Sequence, residues 1–562
     1  MNLKIIDPTY RQVGLSTPAG AALTDLFLLE GEIGGAQLAL TVPETAWVNL
    51  NDDSHLPWDG LKGKLYRLRA FGAGLAASLS FEGFVQDDDG LLKRDRLLHS
   101  QNQELRVGTH VLWLDIKGLE AGSHTLTVAL YETTGYEEER KIAETELAVE
   151  VADYTLPEKT PFFLDLWQHG SALSRYYDVP LWSKEHFALL ENFLKPLAAA
   201  GQKVCDLILT DYAWAGQACY HVPKNPSALY EYNIVGVKRQ QGQLVLDFSA
   251  LDYYVSLCEK LGMAQEINLF GLLGNWDYQL FGTPLKDYRD PLRVRVYDVD
   301  TGTYGFIEEK EELAAYLTQV FAHLKAQDYW ERVKVICDEP DEPEIFAGYE
   351  DFLNSCAKES LSFKHACHHS YFLEAYEGNF DSNSVNTQII LDKRGQEKSK
   401  IWQRRAEMTW YSCWFPRHLN LFVYSPLMES RLIGPLTYLF KMKGFLRWNY
   451  CLWTADPNTD VRYKTERWPA GDMYLVYPGA SGHPELSLRF KHLAMGIQDY
   501  ELLRLAAEKI GTDMVDAEVE KLTGKLSDMA DDPKTGDVII PYHDDFARLQ
   551  ALRRFCVQAL ME

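Results

Sequence analysis

Val333-Lys334-Val335-Ile336-Cys337-Asp338-Glu339-Pro340 is the stretch on which the fold turns. It reads as a buried strand that runs directly into two adjacent carboxylates. Comparable apolar runs recur on both sides of it, at 162–168, 203–209, 266–272, 362–367, 385–391, 408–413 and 444–450, so that 333–337 is the fourth of eight. Several are separated by segments with apolar residues at helical spacing, among them 184–194, 248–261 and 310–327. Strands alternating with helices are the signature of βα units around a parallel sheet, and eight of them predict a (β/α)8, TIM-type barrel.

Before residue 150 the rhythm differs. Ala36-Gln37-Leu38-Ala39-Leu40-Thr41-Val42, Ala76-Ala77-Ser78-Leu79-Ser80-Phe81 and Ser123-His124-Thr125-Leu126-Thr127-Val128-Ala129-Leu130 alternate apolar and polar residues, which predicts half-buried antiparallel strands and an N-terminal antiparallel β-sandwich over 1–154. Thr155-Leu156-Pro157-Glu158-Lys159-Thr160-Pro161, with two prolines, suits an extended linker. The barrel is expected over 161–505, with a strand-like run at 472–477 as an insertion after the eighth strand. From Pro484 the pattern is helical, at 486–505, 515–529 and 544–560, so 506–562 reads as a C-terminal helical segment packed on the barrel.

Length and composition agree with several domains. A single core stops growing near ~250–300 residues, and this chain has 562. With 46% hydrophobic and 24% charged residues it is globular rather than disordered. A formal net charge of −25 opposes phosphate backbones and anionic lipid heads, so neither nucleic acid nor membrane insertion is expected. Nine scattered cysteines without a Cys-x-x-Cys pair, and an N-terminus lacking a basic region before an apolar run, point to reduced thiols in a cytoplasmic chain. His365, His368 and His369 cluster, but without zinc-type spacing; no metal and no cofactor is expected.

Barrel enzymes react at the C-terminal ends of their strands. Two adjacent carboxylates there oppose joint ionisation, which is one way to keep a general acid protonated. A solvated acidic loop is the plainer reading, and Asp341-Glu342-Pro343-Glu344 has that composition. A second signal is aromatic: six of the fourteen tryptophans, Trp402, Trp410, Trp414, Trp448, Trp453 and Trp468, fall between residues 402 and 468, with Tyr411, Tyr450, Tyr474 and Tyr477 in or beside that stretch. Indole faces pack on the C–H faces of sugars, although barrel cores use tryptophan too. Acid pair and aromatic walls together point to glycoside hydrolysis. His368, at the fifth strand end, is a candidate for binding substrate hydroxyls.

Longer motifs carry a resemblance. Gly444-Phe445-Leu446-Arg447-Trp448-Asn449-Tyr450-Cys451-Leu452-Trp453, Asp456-Pro457, the run from Ala470-Gly471-Asp472 to Tyr477-Pro478-Gly479, and Ser487-Leu488-Arg489-Phe490 leading to Gly496-Ile497-Gln498-Asp499-Tyr500-Glu501 are similar to glycoside hydrolase family 123. So are Asp165-Leu166-Trp167-Gln168-His169, 182–187 and Asp338-Glu339-Pro340, with a fainter match at Gly31-Glu32. The resemblance implies a β-sandwich followed by a catalytic (β/α)8 barrel, and a retaining β-N-acetylgalactosaminidase that works by substrate assistance without a cofactor. Carried across, Glu339 is the acid/base and Asp338 orients the 2-acetamido group of a terminal β-N-acetylhexosamine on a glycan. Trp448, Trp453, Tyr477, His368, Trp167, Trp410 and Asn449 are the expected substrate-binding residues. Asn386 and Gln388 depart from the family's Asp-aromatic pattern, which bears on the sugar preferred. A barrel glycosidase of other specificity and a non-catalytic carbohydrate-binding protein are the alternatives, and the oligomeric state stays open.

Overall fold

The computed structural model describes the chain apart from residues 16–19, 52–64, 134–137, 214–229, 277–278, 282–292, 341–342, 393–397, 455, 460, 462–467, 533 and 536. Its largest feature is a parallel sheet that curls almost into a closed barrel. The strands are Phe163–Leu166, Val204–Ile208, Glu266–Trp276, Val333–Asp338, Phe363–Cys367, Ser384–Asn386, Thr409–Tyr411 and Gly444–Arg447, called here the first to the eighth. Each from the second onward pairs in parallel with the next, and the eighth pairs with the first. Helices such as Lys184–Ala199, Ser249–Lys260, Lys310–Ala326 and Leu427–Leu439 lie between them.

The ring is weakest between the first and second strands, where one isolated bridge links Leu164 to Gln202. Side chains complete the seam. The Leu166 N–H donates to Gln202 Oε1 at 2.9 Å and the Gln202 amide donates back to the Leu166 and Val204 carbonyls. Gln168 and Asp206 exchange bonds through the Gln168 N–H and the Asp206 N–H, at 2.8 and 3.0 Å. Two carboxamides thus satisfy backbone groups that a regular ladder would have paired.

Charge is buried inside the barrel wall. Lys364 of the fifth strand donates to Asp165 of the first and, at 2.7 Å, to Glu266 of the third. Burial opposes its charge, yet the two carboxylates prevail and hold the ammonium protonated. Burial, with Asp165 next, pushes nearby Asp206 far above the usual carboxylate range, because one cation cannot neutralise three acids.

The sixth strand departs from expectation. The run 385–391 is strand only as far as Asn386, whose side chain accepts the Gln388 N–H and starts the helix Thr387–Leu391. The run at 472–477 is likewise strand only at its end, Val476 and Tyr477, within the strand Val476–Pro478 that pairs antiparallel with Pro484–Leu486. Helices Leu488–Ile510, Thr512–Thr523 and Phe546–Met561 follow. No described helix is long and apolar enough to cross a membrane.

The N-terminal region is β-rich and, among the described residues, holds two sheets of five and six strands. Their apolar residues, for example Leu38, Leu112 and Leu114 in one and Leu126, Val128 and Leu147 in the other, belong to one hydrophobic cluster. Buried ion pairs tie this region to the rest. Asp95 binds Arg489 and accepts the Tyr477 hydroxyl, while Arg553 of the last helix joins Glu32 at 2.5 Å and also binds Asp499. Removing one partner of such a pair strands a buried charge, at a cost of about 3–5 kcal/mol.

Candidate active site

The fourth strand ends at Asp338, and the chain then turns sharply. Glu339 adopts φ +48°, a left-handed backbone that only glycine takes without strain, and its N–H donates to the Ala366 carbonyl of the fifth strand at 2.9 Å. Asp338 is half-buried, and the Glu339 side chain is 40% exposed. Both carboxyls therefore leave the buried strand at the rim of the barrel, and neither is wholly enclosed.

Groups after the fifth and seventh strands lie near them. After the fifth strand, His368 brings Nδ1 to 3.8 Å from Glu339 Oε1. His369 turns outward and stacks on Tyr371. The seventh strand ends at Tyr411, a buried side chain whose hydroxyl has no hydrogen-bond partner among the described residues. Burial first, and then the Glu339 charge, push that hydroxyl far above its ordinary value. Two residues on, Cys413 is buried, and burial with Glu339 and Asp472 raises its thiol as well.

The eighth strand delivers Arg447, fully buried, which clamps three segments. It donates to the Ser412 carbonyl at 3.1 Å, to Asn420 Oδ1 at 2.7 Å and to Asp472 Oδ1 at 2.7 Å. Trp448 is half-buried beside it, its indole N–H donating to the same Asp472 oxygen at 3.3 Å. Burial pushes Asp472 up to about 6 against the pull of Arg447, and its other oxygen has no partner among the described residues. The carboxamide of Asn449 is buried with neither end paired among them.

At the first strand end, His169 donates from Nε2 to the Trp448 carbonyl at 2.8 Å and turns Nδ1 toward Glu231, 3.8 Å away. Burial drives His169 down to about 3 and Glu231 up to about 7, so the imidazole is neutral and carries its proton on Nε2.

The expected substrate residues thus divide. Asp338, Glu339 and His368 come together at the fourth and fifth strand ends, and Trp448 and Asn449 lie at the eighth. Four others are core. Trp453, 3% exposed, donates its N–H to the Val476 carbonyl at 2.8 Å among Tyr176, Tyr177 and Phe193. Trp410 donates to Thr437 Oγ1 at 2.8 Å and packs edge-on against Phe440 and Phe445. Tyr477 is spent on Asp95, and Trp167 is buried against Phe270. None of these four offers an open ring face to a sugar. Of the further groups near strand ends, His169 and Asp472 lie within the family-like motifs and Tyr411 within the aromatic stretch, whereas Cys413 and Glu231 have no local motif that marks them.

Two cavities outside this region, each of about 240–270 Å³, lie at the 155–160 linker and beside Trp402, and neither includes the acid pair.

Comparison with known proteins bears on the chemistry. The family profile described as "Glycoside hydrolase 123, catalytic domain" matches residues 167–506. A solved family 123 glycoside hydrolase from Clostridium perfringens, described in connection with glycolipid glycan hydrolysis, is 15% identical; the match covers 100% of this chain and 98% of that one, with a TM-score of 0.72. At that identity the likeness is one of fold. A Bifidobacterium dentium beta-glucuronidase (9% identity, 80% of this chain and 65% of that one, TM-score 0.25) and the pneumococcal glycogen-degrading SpuA (10%, 90% and 60%, 0.27) are too distant to carry an argument. Comparison with curated proteins finds no match. With the profile spanning more than half of its length and the acid pair standing at a barrel strand end, the chain belongs to glycoside hydrolase family 123.

Proposed function

We propose that this glycosidase is a retaining exo-enzyme that removes terminal β-linked N-acetylgalactosamine from glycans by substrate assistance. The observation that carries the reading is the adjacency of Asp338 and Glu339 at the fourth strand end, half-exposed at the barrel rim. The substrate's acetamido oxygen attacks the anomeric carbon while Glu339 protonates the departing oxygen. Asp338 accepts the acetamido N–H and stabilises the positive charge that develops on the oxazolinium ring. Glu339 then takes a proton from the water that opens the ring, and configuration is retained. Because the nucleophile is tethered, the attack is intramolecular, an advantage of up to ~7–11 kcal/mol in well-aligned cases. The Tyr411 hydroxyl, close enough to feel both carboxylates, is free to donate to the acetamido oxygen and align it.

Trp448 is the sugar platform in this reading, with Asp472 and Asn449 as polar partners for hydroxyls. The three-part division at 1–154, 161–505 and 506–562, with a β-sandwich ahead of a TIM-type barrel, belongs to the same reading. Eight buried free cysteines among the described residues favour a reducing, cytoplasmic setting. The glycolipid glycans named for the Clostridium perfringens protein are the first natural substrates to test.

A panel of chromogenic β-GalNAc, β-GlcNAc and unacetylated β-glycosides tests this. Turnover confined to acetamido sugars, with GalNAc preferred, is expected. Turnover of unacetylated sugars would overturn substrate assistance, and binding without turnover would leave a lectin-like protein.

A further inference from the structure

The ends of the fourth, fifth and seventh strands bring a carboxylate, an imidazole and a thiol to one point. Ligand atoms of Glu339, His368 and Cys413 all lie within 4.8 Å of one another, with His368 Nδ1 and Glu339 Oε1 at 3.8 Å. Around a tetrahedral zinc ion, bonds of ~2.0–2.3 Å place neighbouring donors about 3.3–3.8 Å apart. The trio therefore needs to contract by up to about 1–1.5 Å, a movement for which the two outer side chains have rotatable bonds. Those outer side chains, Glu339 and His368, are 40% and 23% exposed, whereas Cys413 forms a buried floor. Solvent thus reaches the point from one side, and a three-donor site keeps a fourth position open on that side.

A coordinating thiol is deprotonated outright by a divalent ion. The mixed N, S and O set selects a borderline-soft ion over magnesium or calcium, which require oxygen donors.

We propose that Glu339, His368 and Cys413 form a binding site for one zinc-class divalent cation, and that its occupation switches hydrolysis off. On binding, the Cys413 S–H bond breaks, its proton passes to solvent and the sulfur's electron pair forms the bond to the metal. The thiol's hydrogen bond to the Phe415 carbonyl, 3.5 Å long, is given up. Nothing is oxidised or reduced. The metal then occupies the carboxylate that would protonate the leaving oxygen. The inhibitory half rests on the function proposed above; the binding half does not.

Calorimetric titration of the full, reduced, tag-free chain with zinc tests binding without turnover. One ion per chain is expected, with about one proton released, read from buffers of different ionisation heat. Magnesium is expected to give no heat. Cadmium is expected to produce a thiolate charge-transfer band. Cys413→Ser and His368→Gln, each checked for an unchanged melt, are expected to weaken zinc binding at least about tenfold, and the serine variant to lose the cadmium band. Absence of a zinc step, or a step that survives both folded variants, overturns the site. If Cys413→Ser fails to fold, His368→Gln and the cadmium band of the parent decide the matter. On the glycoside panel, saturating zinc is expected to abolish turnover and a chelator to restore it. Zinc bound with turnover intact overturns inhibition, whereas zinc bound by a chain inert on every glycoside leaves the site standing and removes the hexosaminidase reading.

Discussion

Glu339 owes its position to a backbone that few residues adopt. At φ +48° it turns the carboxyl out of the strand toward His368, and the Ala366 carbonyl fixes the turn. As general acid it matters most when the leaving group needs a proton. Glu339→Gln is expected to lower kcat/KM by about 10²–10⁴-fold on alkyl or glycan aglycones and far less on aryl aglycones of low pKa. Equal losses on both would remove the acid role. Tyr411 offers a sharper separation of stability from rate. Its hydroxyl is buried and unpaired among the described residues, so Tyr411→Phe deletes no hydrogen bond they provide and relieves an unsatisfied polar group. The melting temperature is expected to hold or rise, while kcat on acetamido sugars falls about tenfold or more. A fall in stability with unchanged kcat would make the hydroxyl structural.

At the scale of elements, strand ends separate residues that composition groups together. Trp448 and Trp453 are five residues apart and look alike as sequence, yet one borders the barrel mouth and the other seals a core. Trp453→Ala is expected to cost about 3–5 kcal/mol of stability. Affinity of the folded variant for an N-acetyl thiazoline inhibitor is expected to stay unchanged, whereas Trp448→Ala is expected to weaken it; melts and inhibitor titrations check both. The eight strands and the acid pair were legible because apolar runs and the residues that end them are local features. The sixth strand misled because 385–391 is apolar enough for a strand, and only the capping side chain of Asn386 reveals the helix. The seam at Gln168 and Gln202, the Lys364 cluster and the meeting of His368, Tyr411 and Cys413 with Glu339 were not legible. Each arises when the barrel closes and joins residues tens to hundreds of positions apart.

The whole molecule carries a further pH dependence in its N-terminal region. Glu82 is buried with both oxygens unpaired among the described residues, and burial pushes it from 4.5 up to about 8 against Arg94 and Arg11. Between those values the folded chain holds a proton that the unfolded chain has released, so this group makes stability fall as pH rises through that window. Glu82→Gln is expected to melt close to the parent near pH 4.5 and progressively higher than it toward pH 8. A constant difference in melting temperature across that range would refute the shift. For the barrel and its acid pair to act as one catalyst by this mechanism, the substrate must supply the nucleophile. The most direct test is kcat/KM on aryl β-GalNAc substrates whose N-acetyl group carries none, one, two or three fluorines. Fluorine drains electron density from the acetamido oxygen while leaving the aglycone unchanged. A steep, stepwise fall across the series is expected; equal rates along it would mean that the acetamido oxygen is not the nucleophile.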